Sequence, residues 1–326
     1  MEFTRAITQY MTHCNSRQLR QRTLISYEQT LQLFALWLQK TSHVTAVEAV
    51  REAHLRQYIL DLQSRGKYTF CTPQGEMSNP QNRRDYRQQV SNITINNYLR
   101  NLHVFFEWLV QMEYITKSPM HRIRALPAER KPREYLEDDE VKRLLRSMDR
   151  SYYTEYRDLL VMMLMLDSGT RLGETLSMEI EQLDLVGQTI LLPANKTKGR
   201  RSRTVFFSGK TARELRRWLQ FKYRYCDSSY LFPVKSTGAI LDVTDFDRNF
   251  RRYIKRVGVT KTITPHTLRN NFARRCMTSG MDIYTLSRIL GHSSVKVTEK
   301  AYLDLSDADI QKQYARFSPM ANLFGE

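Results

Sequence analysis

A chain of 326 residues suffices for two domains that each bury a core, and 41% hydrophobic with 26% charged residues, without long Pro, Gly or Ser tracts, describes a globular protein. The formal charge of +17 implies a polyanionic partner, because each Lys or Arg that neutralises a phosphate releases condensed counterions. No apolar run approaches the roughly 20 residues of a bilayer span and the opening MEFTRAITQYM is no signal peptide, so nucleic acid is the expected partner of a cytoplasmic, nucleoid-associated protein. Cys14, Cys71, Cys226 and Cys276 lack ligand spacing, the histidines form no HExxH pair and the acidic residues no cluster. Neither a disulfide framework, a metal site nor a cofactor is expected.

A short helix is expected over residues 3–13. Over 21–40, Leu24, Tyr27, Leu31, Phe34 and Leu38 recur at steps of three and four, the period of one buried helical stripe. Val50, Leu55, Tyr58, Ile59 and Leu62 repeat it over 45–65, and Leu99, Leu102, Phe105, Phe106 and Leu109 over 93–112, which completes a four-helix unit. Between them, residues 66–89 hold turn formers without a period and carry Arg83, Arg84 and Arg87; this reads as a long loop that faces DNA or a partner, or is simply mobile. The stretch 116–135 has three prolines and the basic residues Lys117, Arg122, Arg124, Arg130, Lys131 and Arg133. It reads as an extended linker lying along a duplex, with an ordinary solvated linker as the alternative. The boundaries are therefore a helical DNA-binding domain over 1–115, a basic linker over 116–135 and a second domain with a C-terminal tail over 136–326.

In the second domain, YRDLLVMMLMLDSG is an almost wholly apolar helix that Gly169 ends in a left-handed turn, with Met162, Met163 and Met165 in the core. Arg171 in GTRLGE opens the next short helix, where Glu174 either fixes its orientation or forms a plain salt bridge with it. The runs QTILLP and RTVFFS are rich in β-branched and aromatic residues, and ANKTKGRRS between them makes a hairpin with a basic tip. Lys198 at that tip, with Lys196 as its closest competitor and Arg200 and Arg201 beside it, is placed to enter a DNA groove; a solvated turn is the alternative. Over 242–256, Arg248, Arg251, Arg252 and Lys255 line a helix above Phe246, Phe250 and Ile254, a basic surface suited to phosphates or a major groove. Thr264 then caps a helix with Pro265 at its first position and with His266 and Arg269 on one face. Gly280 ends it, a second short helix leads to a glycine turn and His292, and Tyr302 follows.

The ordered boxes Arg171, Lys198, His266-x-x-Arg269, His292 and Tyr302 resemble the tyrosine recombinase family, also called phage integrases, of Xer/Cre type. The resemblance covers Leu136 to about Asp307 and, more loosely, the N-terminal half. It implies a mainly α fold in which a SAM-like helical core-binding domain and an α+β catalytic domain with a small antiparallel sheet form a C-shaped clamp on DNA. One departure is local: Ala301 lengthens the gap between His292 and Tyr302 by one residue relative to some relatives. Tyr314 is the weaker candidate for the same role.

The residues also argue the chemistry. A tyrosine hydroxyl, with a pKa near 10, loses its proton as it attacks phosphorus, and the phosphotyrosine conserves the energy of the broken bond. Arg171 and Arg269 are suited to the two non-bridging oxygens, Lys198 to protonating the leaving 5'-oxygen, His266 to accepting the tyrosine proton and His292 to a hydrogen bond with phosphate. By the resemblance, Tyr302 becomes linked to a 3'-phosphate, exchange passes through a Holliday junction, and four protomers, monomeric in solution, assemble on paired DNA sites. Integration, excision and resolution remain equal options. The apolar tail residues Phe317, Met320, Leu323 and Phe324 pack either in cis or on a neighbouring subunit. The rival activities are type IB topoisomerase-like relaxation and a catalytically silent DNA-binding regulator.

Overall fold

The structure, a computed structural model, describes residues 1–128, 134–194, 202–292 and 294–302, together with 311 and 314. It divides into two compact units, Met1–Arg130 and Lys131–Glu326.

The first unit is helical: α1 (Phe3–Ser16), α2 (Gln21–Ser42), α3 (Glu52–Ser64), the single turn α4 (Pro73–Glu76) and α5 (Asn92–Gln111). The stripes expected from the sequence face inward, so Leu31, Phe34, Tyr58, Leu102, Phe105 and Phe106 are fully buried. Phe34 meets Tyr58 edge-on at 5.0 Å, the arrangement that ring quadrupoles favour. The helix expected over 45–65 is shorter than that. Val47–Ala49 form a 3-10 turn that puts Val47 and Val50 into the core, and α3 starts only where Arg51 donates its N–H to His54 Nδ1.

Residues 66–89 are not featureless. A bridge between Gly66 and Gln89 closes their base, Thr72 caps α4, and the Arg83 guanidinium lies 4.4 Å from the Tyr68 ring centroid. The stretch after α5 also differs from an extended linker. The Asn96 amide donates to the Leu126 carbonyl (2.9 Å) and accepts from the Leu126 N–H (2.7 Å), while Asn92 donates to the Pro127 carbonyl (2.7 Å). With Ile123 and Leu126 packed on the core, the chain belongs to the first unit well past residue 115.

The second unit contains α6 (Asp138–Arg146), α7 (Tyr153–Ser168), α8 (Leu172–Leu176), α9 (Gly209–Tyr223), α10 (Val243–Arg256), α11 (Pro265–Thr278), α12 (Ile283–Leu290) and α13 (Val295–Tyr302). Strands β1 (Leu183–Asp184), β2 (Thr189–Leu192) and β3 (Arg203–Phe206) make a small antiparallel sheet in the order β1-β2-β3. Ile190 pairs with Val205 on its buried face, whereas Leu191 and Phe206 point to solvent. The molecule is thus mainly α with a small sheet, as its sequence implies. Helix α7 is the hub of this unit, buried almost all round with Met162, Met163 and Met165 in the core and packed against α9 and α11. Among the described residues, no helix is long and apolar enough to cross a membrane.

Candidate active site

The site begins where α7 stops. Gly169 adopts φ 66°, a left-handed conformation, and a Cβ on it would lie 2.3 Å from the Phe272 ring of α11. Glycine is needed there both for the turn and for the close approach of α11. Two residues on, Arg171 is the N-cap of α8. Its N–H donates to Glu174 Oε2 (3.1 Å) and its Nη1 to Glu174 Oε1 (2.9 Å). From β3, Arg203 donates to the same carboxylate through Nη1 (3.3 Å) and Nη2 (2.6 Å). Burial pushes the Glu174 carboxyl up, but the hydrogen bonds and charges of Arg203, then of Arg171, outweigh it and hold the group below the usual carboxylate range.

Helix α11 supplies the next two residues. The Thr267 hydroxyl accepts the Thr264 N–H (3.2 Å), and Pro265 occupies the first helical position, where no N–H is required. His266 is exposed on that first turn, while Arg269, one turn on, is only 1% exposed. Arg269 donates from Nη1 to the Gly169 carbonyl (2.6 Å) and from Nη2 to the Leu290 carbonyl (2.7 Å), and Nη2 lies 3.0 Å from His292 Nε2. Both carbonyls belong to C-terminal ends of helices, α7 and α12, where the backbone dipoles are negative. These acceptors are neutral, so they hold the guanidinium without cancelling its charge.

A guanidinium carries only donors, so His292 Nε2 is the acceptor in that contact. The ring proton therefore sits on Nδ1 and is donated to Thr298 Oγ1 of α13 (2.7 Å). Burial, followed by the charges of Arg269, Arg171, Arg203 and His266, pushes the His292 pKa down to about 4. The imidazole is neutral at pH 7, and residues of two other sequence boxes, Arg171 and His266-x-x-Arg269, act on it together with Arg203. His292 Nε2 thus faces Arg269 in this structure.

Tyr302 closes α13, one turn beyond Thr298, and α13 packs against α11 and α12. Lys131, Lys196, Lys198, Arg200 and Arg201 lie outside the described residues, as do the apolar tail positions. On α10, Arg248, Arg251, Arg252 and Lys255 are exposed above buried Phe246, Phe250 and Ile254. Arg248 pairs with Asp245 (3.0 Å) and Arg251 with Asp247. The helix is set in place by Asn249 and Tyr253, which donate to buried Asp158 of α7 (3.1 and 2.9 Å). In the first unit Arg83, Arg84, Arg87, Arg122 and Arg124 are all exposed. Sequence reasoning missed Arg203 and Thr298. Arg203 had one available signal, a basic residue opening an otherwise apolar strand; Thr298 had none.

Residues 134–309 match the phage integrase family. The sequence is 25% identical to tyrosine recombinase XerD of Lacticaseibacillus casei over 309 residues, covering 93% of this chain and 94% of that one. It is 26% identical over 228 residues to XerD of Staphylococcus epidermidis, with coverage of 69% and 76%. In fold it is similar to the Tn1549 transposon integrase in complex with a circular intermediate DNA, with a TM-score of 0.72 at 17% identity over 97% of this chain and 99% of that one. XerH bound to a palindromic difH substrate gives a TM-score of 0.68 at 19% identity over 96% and 84%. With the family match running through α6 to α13 and every described box residue inside it, the chain belongs to the phage integrase family of tyrosine recombinases.

Proposed function

We propose that this tyrosine recombinase, a DNA strand transferase, breaks and rejoins duplex DNA at specific sites through a covalent bond between Tyr302 and a 3'-phosphate. The tyrosine oxygen bonds to phosphorus, its proton passes to exposed His266, the bond to the 5'-oxygen breaks, and Lys198 protonates that oxygen. Arg171 and Arg269 offset the charge of the pentacoordinate phosphorus, and His292 holds Arg269 in register. Attack by the 5'-hydroxyl of a partner duplex on the phosphotyrosine then gives exchanged strands, through a Holliday junction, with four protomers on paired sites. The first unit and α10 supply the DNA-binding surfaces, through Arg83, Arg84, Arg87, Arg122 and Arg124 and through Arg248, Arg251 and Arg252. The observation that carries this reading is the gathering of Arg171, Arg269 and His266 around one neutral imidazole, His292.

A nicked duplex that loses the short strand after cleavage tests it. Wild-type protein traps a covalent DNA adduct and Tyr302→Phe traps none. An unchanged adduct in that variant overturns the nucleophile assignment, and supercoil relaxation without recombinants on a two-site substrate overturns strand exchange.

A further inference from the structure

Three arginines face His292, but they do not play one part. Arg203 is the most enclosed of the pair that shares Glu174, its side chain 11% exposed against 26% for Arg171. It also lies flat on Gly291, where a Cβ would fall 2.8 Å from Arg203 Cδ and 2.9 Å from Nε, on a residue already held at φ 64°. Arg203 thereby joins three segments: the strand leaving the hairpin, the first turn of α8 and the glycine turn that leads to His292. Its forked contact satisfies both carboxylate oxygens of Glu174, whereas Arg171 spends a single guanidinium nitrogen on that group.

We propose that Arg203 is a positioning residue for recombination: by neutralising Glu174 it leaves the charge of Arg171 available to the DNA phosphate while Glu174 still orients Arg171. This rests on the recombinase reading above. Without Arg203, one buried carboxylate and one arginine remain, and Glu174 draws Arg171 into a closed pair that competes with phosphate. The groups that face Glu174 are Arg203 from β3 and Arg171 from α8, and both also act on His292, together with Arg269 and His266.

The test is a double-variant cycle on full-length protein, using a nicked duplex that carries the site wild type captures covalently from randomised duplexes. Arg203→Met slows adduct formation about ten-fold or more, and adding Glu174→Gln to it restores at least about five-fold, because the carboxylate that captures Arg171 is gone. Arg203→Lys, which keeps the charge and loses the fork, falls between wild type and Arg203→Met. If Arg203→Met does not fold, as judged by its thermal melt, the same comparison is made between Arg203→Lys and Arg203→Lys with Glu174→Gln. Adduct formation in the double variant at or below that of the single variant overturns the proposal, as does Arg203→Met cleaving within about two-fold of wild type. Absence of any adduct with wild type instead overturns the recombinase reading and takes this one with it.

Discussion

Arg269 and Arg171 solve the same difficulty, a guanidinium close to or inside the protein, by different means. Arg171 has a carboxylate beside it, and Arg269 has two helix-terminal carbonyls and an imidazole. His292 bears the consequence. A free imidazole titrates near 6.5 and this one near 4, so between those values the unfolded chain takes up a proton that the native chain refuses. The stability associated with His292 is complete above pH 6.5 and is lost as pH falls toward 4. Replacing it with Gln should make the melting temperature fall less steeply across that window, which calorimetry at several pH values reads directly; identical slopes would contradict the neutral, arginine-facing ring. At this scale the sequence pointed to residues that the fold brings together, Arg171, His266, Arg269 and His292. It was silent where a role arises from approach: Arg203 matters because β3 brings it onto Gly291, and Thr298 because α13 brings it onto His292 Nδ1.

Among the elements, helices with a full apolar stripe were readable with near-correct ends. Helix α10 ends at Arg256, as expected, and α7 at the glycine turn. Two segments departed from expectation for local reasons. Val47 and Val50 enter the core through a 3-10 turn that a helical period cannot distinguish from helix, and the stretch holding Leu126 is fastened by a side-chain amide from α5 that has no sequence signature. The turn at Gly169 makes the sharpest demand on an element boundary, since an alanine would be strained in φ and its Cβ would overlap the Phe272 ring. Gly169→Ala is expected to cost about 2 kcal/mol or more in urea unfolding. Its adduct formation should fall further than the lost stability explains, because the carbonyl that holds Arg269 moves with the turn.

For the whole molecule, with its formal charge of +17, the number of basic side chains that contact phosphate sets how DNA binding should respond to salt. Arg248 and Arg251 already have acidic neighbours on α10, whereas Arg252 is exposed on the same helix with Phe250 and Ile254 buried beneath. Arg252→Gln should reduce the slope of log affinity against log salt by about 0.9, the signature of one lost phosphate contact. A slope unchanged within error would remove α10 from the DNA surface. Arg269 has a different kind of dependence, on order in time. Its two carbonyl partners stand 100 residues before it and 21 residues after it along the chain. A chain emerging from the ribosome has made Arg269 before it has made Leu290, so the seat for this side chain closes only when most of the second unit has been synthesised. A translation product that stops short of Leu290 therefore lacks one of the two carbonyls that seat Arg269, however complete the rest of its basic surface.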